Sequence, residues 1–109
     1  MNKYTELSDF EVNLLVAQYV LPETQYDVIK QTMDIIQFLV DGSFGYRFFD
    51  PCSNPADAMP IIIENEISMI KISGGWMCCH GSVGQVEHES LYRGAMEVFL
   101  MIKDAENEG

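Results

Sequence analysis

The sequence predicts an α+β fold: a small antiparallel β-sheet of two hairpins, flanked by an N-terminal helix, a proline-containing central helix and a C-terminal helix. Three observations carry this reading. Apolar residues recur at helical spacing near both ends of the chain, from Phe10 to Leu21 and from Leu91 to Ile102. Between them, two stretches rich in β-branched and aromatic residues are interrupted by the turn signals Asp41-Gly42 and Gly74-Gly75. The string from Asp50 to Ile63, Asp-Pro-Cys-Ser-Asn-Pro-Ala-Asp-Ala-Met-Pro-Ile-Ile-Ile, holds three of the four prolines and joins the two halves. At 109 residues the chain reads as one domain over 1–109 that buries roughly two thirds of its unfolded surface, so no disulfide or metal is needed for folding.

The first helix opens on a capping box, with Ser8 set to accept from the Glu11 amide and Glu11 to reach back to the Ser8 amide. Leu7 and Val12 flank the cap as a hydrophobic staple, and Pro22 stops the helix near residue 20. The stretch from Tyr26 to Phe49 supports two readings. Ile29, Met33, Ile36 and Val40 have helical spacing, which allows a helix over 25–39; the β-branched and aromatic content favours a hairpin with strands over 33–40 and 44–49. The hairpin is preferred.

In the central segment Asn54 is an N-cap, Pro55 suits the first helical position, and Asp57 can return the cap bond. Pro60 removes the bond to the Ala56 carbonyl, so the helix is expected to kink, or to begin at Pro60 after a short turn. Either way Ile61, Ile62 and Ile63 are expected in the core, with the helix ending near Asn65. A second hairpin follows, Ile67 to Ile72 and Met77 to His80. A Gly-Gly loop would pair Ile72 with Met77 and Ile70 with Cys79, leaving Met69, Lys71, Trp76, Cys78 and His80 on the opposite face. Apolar residues on both faces predict that part of the sheet is covered on both sides. Residues 81–89 read as a polar loop, Ser90 as the cap of the last helix, Gly94 as a point of close approach to the sheet, and 104–109 as an acidic, fraying tail.

Six basic against seventeen acidic residues leave a formal charge of -11, which argues against direct binding of nucleic acid or anionic membrane and leaves basic partner proteins open. The opening residues lack the basic region and apolar run of a secretory signal, and no apolar run is long enough to span a membrane, so a soluble, intracellular protein is expected. Three cysteines, two of them adjacent, fit reduced thiols better than a disulfide framework.

Functional signals are weak in comparison. Cys52, Cys78, Cys79, His80 and His88 are potential metal ligands, but alternation along a strand turns Cys79 away from Cys78 and His80, and no CxxC or HxxxH spacing occurs. Cys78 with His80 or His88 is the one nucleophile–base pairing available, and no nucleophile motif frames it. Ser73-Gly74-Gly75 lacks the lysine of a phosphate loop. The acidic surplus could imitate DNA, yet its carboxylates are scattered along the chain. Trp76 either anchors a partner from the hairpin tip or caps the core. No cofactor and no enzymatic activity are expected.

The order of Leu7-Ser8-Asp9-Phe10-Glu11-Val12-Asn13, the string Asp50 to Ile62, Glu64-Asn65-Glu66-Ile67-Ser68, and Arg93-Gly94-Ala95-Met96-Glu97-Val98-Phe99-Leu100-Met101 resembles the NinX-like proteins of tailed bacteriophages, and more distantly the phage ABA-sandwich domain. Residues 22–49 carry none of the likeness. Met59 stands where the family pattern usually has tryptophan, and Gly94 where alanine is more usual. The resemblance implies a phage-encoded protein of the host bacterial cytoplasm, and it transfers no activity. The expected function is a non-enzymatic accessory protein that binds a host or defence-system protein, for host takeover or counter-defence. The alternatives are a DNA-mimic inhibitor and a metal- or cysteine-dependent enzyme. Candidate contact residues are Trp76, Glu64, Glu66, Asp50, Asn54 and Asp57, and a homodimer is compatible with this reading.

Overall fold

Helix α1, Asp9–Val20, begins on the expected capping box: Ser8 Oγ accepts from the Glu11 amide at 3.1 Å, and Glu11 Oε1 accepts from the Ser8 amide at 2.9 Å. The computed structural model describes residues 2–21, 26–29, 34–39 and 46–108. Val12, Val16 and Ala17 of α1 are fully buried and Leu7 packs against the same core, while Leu21 forms the C-cap. Pro22 lies outside the described residues, as do Met33, Val40, the turn Asp41-Gly42, Phe44 and Gly45.

The stretch after α1 is strand, as preferred, and contains one strand more than expected. β1 (Tyr26–Ile29), β2 (Ile35–Leu39) and β3 (Tyr46–Phe48) form an antiparallel sheet in that order, with Val28 opposite Ile36 and Phe38 opposite Arg47. Asp34 stands immediately before β2 at φ 48°, a left-handed conformation that a continuing helix does not permit. Ile36 is buried, and Phe38 meets Phe49 edge to face at 6.0 Å.

Helix α2, Pro55–Glu64, overturns the expected start at Pro60 after a short turn. It runs unbroken through that proline, on the exposed side where water can take the Ala56 carbonyl left without an N–H partner. Three consecutive isoleucines span about 200° of a helix. Ile61 and Ile62 therefore enter the core, while Ile63 is 68% exposed, against the expectation that all three are buried. The helix closes on a Schellman motif: the Glu66 amide donates to the Ile63 carbonyl at 3.2 Å, and the Ile67 amide to the Ile62 carbonyl at 3.0 Å. Ile62 and Ile67 are both buried at this junction. Glu66 occupies the left-handed position, φ 55°, where glycine is the usual residue.

The second sheet comprises β4 (Ser68–Ile72), β5 (Gly75–His80) and β6 (Gly84–His88), again antiparallel and in sequence order. Among the described residues the strands thus lie in two separate three-stranded sheets rather than one. The loop between β4 and β5 is Ser73-Gly74, not Gly-Gly, and the register pairs Ile72 with Gly75 and Ile70 with Met77. This two-residue slip leaves the division of side chains between faces as expected. Gly75 is required by the third strand, because a Cβ there would lie 2.6 Å from the His88 carbonyl oxygen. β6 replaces most of the expected polar loop; Val86, its one apolar side chain, is buried.

Helix α3, Leu91–Glu108, packs on β5 and β6 and also against α1 and α2, so it carries the centre of the core with Met96, Val98, Phe99 and Leu100. Gly94 meets the sheet as expected: a Cβ there would sit 3.2 Å from Cys78 Sγ and 3.3 Å from His88 Cβ. The expected fraying tail is helical through Glu108. Asp104 accepts a hydrogen bond from the Tyr4 hydroxyl and an ion pair from Lys3, and Asn107 bonds Tyr19, which holds that last turn against the N-terminal half.

Candidate functional site

A cavity of about 340 Å³ opens where α1, the start of β2 and the end of β3 meet the turn that leads to α2. Asp9, Asp34 and Asp50 line it together with Phe10, Phe48 and Phe49. Its acidity comes from three distant parts of the sequence, and its apolar wall includes Phe48, an aromatic side chain that is 60% exposed. Carboxylates beside aromatic rings suit a cation with an apolar stem, because the charge meets the carboxylates or a ring face while the stem covers the rest of the ring.

A buried polar network holds the floor of the cleft. Asn13, on the core side of α1, donates to Asp50 Oδ1 at 2.7 Å and accepts from the Cys52 amide at 3.0 Å. Asp57 of α2 accepts from the Asp50 amide at 2.9 Å instead of returning the cap bond, and its other oxygen lies 3.9 Å from Arg47. Asn54 Oδ1 caps α2 by accepting from the Ala56 amide at 3.0 Å, and the Asn54 amide donates to the Asp50 carbonyl at 2.8 Å. Asp50, Asn54 and Asp57 are therefore brought together. Asp50 faces the cleft, whereas Asn54 and Asp57 shape the turn beneath it.

Asp9 is positioned from the opposite side. Arg93, 5% exposed on α3, donates to Asp9 Oδ1 at 2.7 Å, to Glu97 Oε2 at 2.7 Å, and to the carbonyls of Tyr4 and Leu7 at 3.0 and 2.7 Å. Burial alone would lower the Arg93 pKa, but the hydrogen bonds that the guanidinium donates to Asp9 and Glu97 outweigh it and the guanidinium is held more firmly charged. Glu97 is 1% exposed and depends on that cation. The N-terminal turn, α1 and α3 are thereby tied at one point, which fixes the Asp9 edge of the cleft.

The other expected contact residues lie elsewhere. Glu64 and Glu66 are exposed around the end of α2, where they line a separate cavity of about 470 Å³ with His80, Ser82 and Glu106. Trp76 is in β5 rather than at a hairpin tip; it packs half-buried against the core on the α3 side, with Lys71 Nζ 5.3 Å from its ring centre. Sequence reasoning did not select Asn13, Arg93, Asp34 or Phe48. The signals available were a polar residue within the apolar stripe of the first helix and an Arg–Glu pair at i, i+4 within that of the last.

Cys52 and Cys78 have surroundings opposite to those of an activated nucleophile. Cys52 is buried and pushed well above the ordinary thiol range by burial and by the nearby Asp9 carboxylate. Burial pushes Cys78 up to about 11, helped by Cys79 and Glu97, and its Sγ faces the Leu91 carbonyl at 3.5 Å. The two histidines use Nδ1 to accept backbone amides, His80 from Ser82 at 3.1 Å and His88 from Ser90 at 2.9 Å. Among the described residues, no three His, Cys, Asp or Glu side chains converge in a way that could hold a metal ion, and no helix is long and apolar enough to cross a membrane.

No curated protein and no solved structure matches the chain. A family model described as Bacteriophage P22, NinX matches residues 3–103, including the region 22–49 where individual motifs carried no likeness, and the chain therefore belongs to the NinX family of bacteriophage proteins.

Proposed function

We propose that this phage protein is a non-enzymatic accessory factor that binds a host protein in the bacterial cytoplasm, and that it takes a basic segment of that partner into the cleft beside α1. The observation that carries the proposal is the convergence of Asp9, Asp34 and Asp50 with the half-open ring of Phe48 in a chain of net charge -11. A lysine or arginine entering there meets carboxylates at its head and aromatic surface along its stem. The acidic surface around the cleft would speed the encounter with a basic partner. Burial of Cys52 and Cys78 speaks against either of those two thiols serving as a nucleophile. Redirection of host machinery and neutralisation of a defence protein both use such a contact.

The test is affinity purification from infected cells with the native chain and with an Asp34→Asn, Phe48→Ala variant. Asparagine tolerates the left-handed backbone at position 34, so the fold is preserved while the charge is removed. A host protein recovered with the native chain, lost with the variant and released by salt supports the reading. Equal recovery with both chains contradicts it. Competition by duplex DNA for the same partner would favour the DNA-mimic reading instead.

A further inference from the structure

Strand β3 is an edge of the first sheet, and its outer side borders the cleft. The Phe49 amide donates to the Ile36 carbonyl at 2.8 Å, and Arg47 stands opposite Phe38 in the same register. Bonded and non-bonded pairs alternate along an antiparallel ladder, so the main-chain groups of Arg47 and Phe49 point toward β2 and those of Phe48 point away from it. Among the described residues no further strand pairs with that edge and no helix packs broadly against β3. Of the four edge strands, β1, β3, β4 and β6, β3 is the one that lines the acidic cleft. Phe48 thus presents an outward N–H, an outward C=O and a ring, 60% exposed, on the wall it shares with Asp34 and Asp50.

An open edge is a template for one more strand, which draws affinity from its main chain and selectivity from alternate side chains. Size points the same way. A helix with its side chains is about 10 Å across, whereas a cavity of about 340 Å³ admits a side chain. Resting on the reading that the cleft takes a basic segment of a partner protein, we infer that this segment binds in extended form, as a fourth strand on the outer edge of β3, with one of its residues exchanging both main-chain hydrogen bonds with Phe48. The side chain of that residue, and of those two positions away, lies on the Phe48 side of the sheet. The residues between them lie on the side of Arg47, whose own side chain is 53% exposed and repels a like charge. The segment therefore carries lysine or arginine at alternate positions, facing the carboxylates and the Phe48 ring, with uncharged residues between.

The test is amide hydrogen exchange of the isotope-labelled full chain, free and with a blocked peptide of alternating lysine and valine at low salt. In the free chain the Phe48 amide should exchange faster than those of Arg47 and Phe49, which are bonded to β2. Saturating peptide should slow the Phe48 amide at least about tenfold, and Asp34→Asn should weaken the peptide about threefold. Phe48→Pro removes the outward N–H without taking a bond from β2, and should bind at least about threefold more weakly than Phe48→Ala, which loses the ring alone. A Phe48 amide as slow as its neighbours in the free chain means a closed edge and overturns the proposal. So does a peptide that fails to bind at millimolar concentration, or one that binds and leaves Phe48 exchange unchanged. In this last case, binding that Asp34→Asn weakens keeps the cleft reading and removes strand addition alone. Protection of Phe48 with an affinity indifferent to Asp34→Asn and to salt contradicts the cleft reading, and the inference falls with it.

Discussion

Replacing Arg93 with alanine should remove a large share of the margin by which this chain is folded. The guanidinium is 5% exposed and makes four hydrogen bonds, to Asp9, Glu97 and the Tyr4 and Leu7 carbonyls. The Asp9 side chain is 55% exposed, so its pair is worth no more than about 1 kcal/mol. Each carbonyl loses a charged donor, at roughly 1 kcal/mol. Glu97 decides the outcome: at 1% exposure its carboxylate is left in the core without a cation, at a cost of about 3–5 kcal/mol. These losses overlap, and a total near 4 kcal/mol is expected, against a usual stability of about 5–15 kcal/mol for a domain. Guanidinium denaturation at neutral pH, followed by circular dichroism, measures it. Because the harm comes from the orphaned charge, Arg93→Met with Glu97→Leu should recover most of the loss. A cost below about 1 kcal/mol for Arg93→Ala, or a double variant as unstable as the single one, would refute the reasoning.

Other consequences follow from the backbone and the thiols. Glu66→Gly should raise stability by roughly 0.5–1 kcal/mol in the same denaturation assay, since glycine relieves the left-handed position of the Schellman motif at some cost in unfolded-chain entropy. Gly75→Ala should cost about 1–3 kcal/mol, because its Cβ would press on the His88 carbonyl of β6 and part the two strands; an unchanged midpoint would contradict that packing. Cys52 and Cys78 are both raised in the folded state, so their contribution to stability is complete below the unfolded thiol pKa near 9 and is lost as pH rises toward and through the folded values. Unfolding free energy should therefore fall above about pH 9 by up to about 1.4 kcal/mol per pH unit for each thiol, and by less in a Cys78→Ala variant.

The parts of the fold that could be read in the sequence are those set by local chemistry. The Ser8–Glu11 capping box, the Asn54 cap and the stripe of α3 depend on neighbours within a turn, and they form as expected. Strand β6 escaped notice because a strand at the sheet edge needs only one buried residue, Val86, and the rest of its pattern looks like a loop. The expected helix start at Pro60 fails for a related reason: the carbonyl that a helical proline leaves without an N–H donor lies on the exposed side of α2, where water is at hand, so the helix runs on from Pro55. The two-sheet arrangement follows from which hairpin α3 covers, and no local motif encodes that. The cleft was the least legible feature. Its carboxylates come from positions 9, 34 and 50, each explicable alone as a cap, a turn or a solvated charge, and tertiary folding alone gathers them. Asp50, Asn54 and Asp57 do lie together, but two of the three serve the turn and the helix cap, which is the local chemistry that the sequence already offers for them.

The central claim is that the cleft receives a basic segment of a host protein. A photo-crosslinking amino acid at position 48, at the mouth of the cleft, tests it directly in infected cells. The account predicts crosslinks to one host protein, within a segment rich in lysine or arginine, that disappear when Asp34→Asn is added. Crosslinks that fall on acidic or neutral segments, or that persist unchanged with Asp34→Asn, would contradict it.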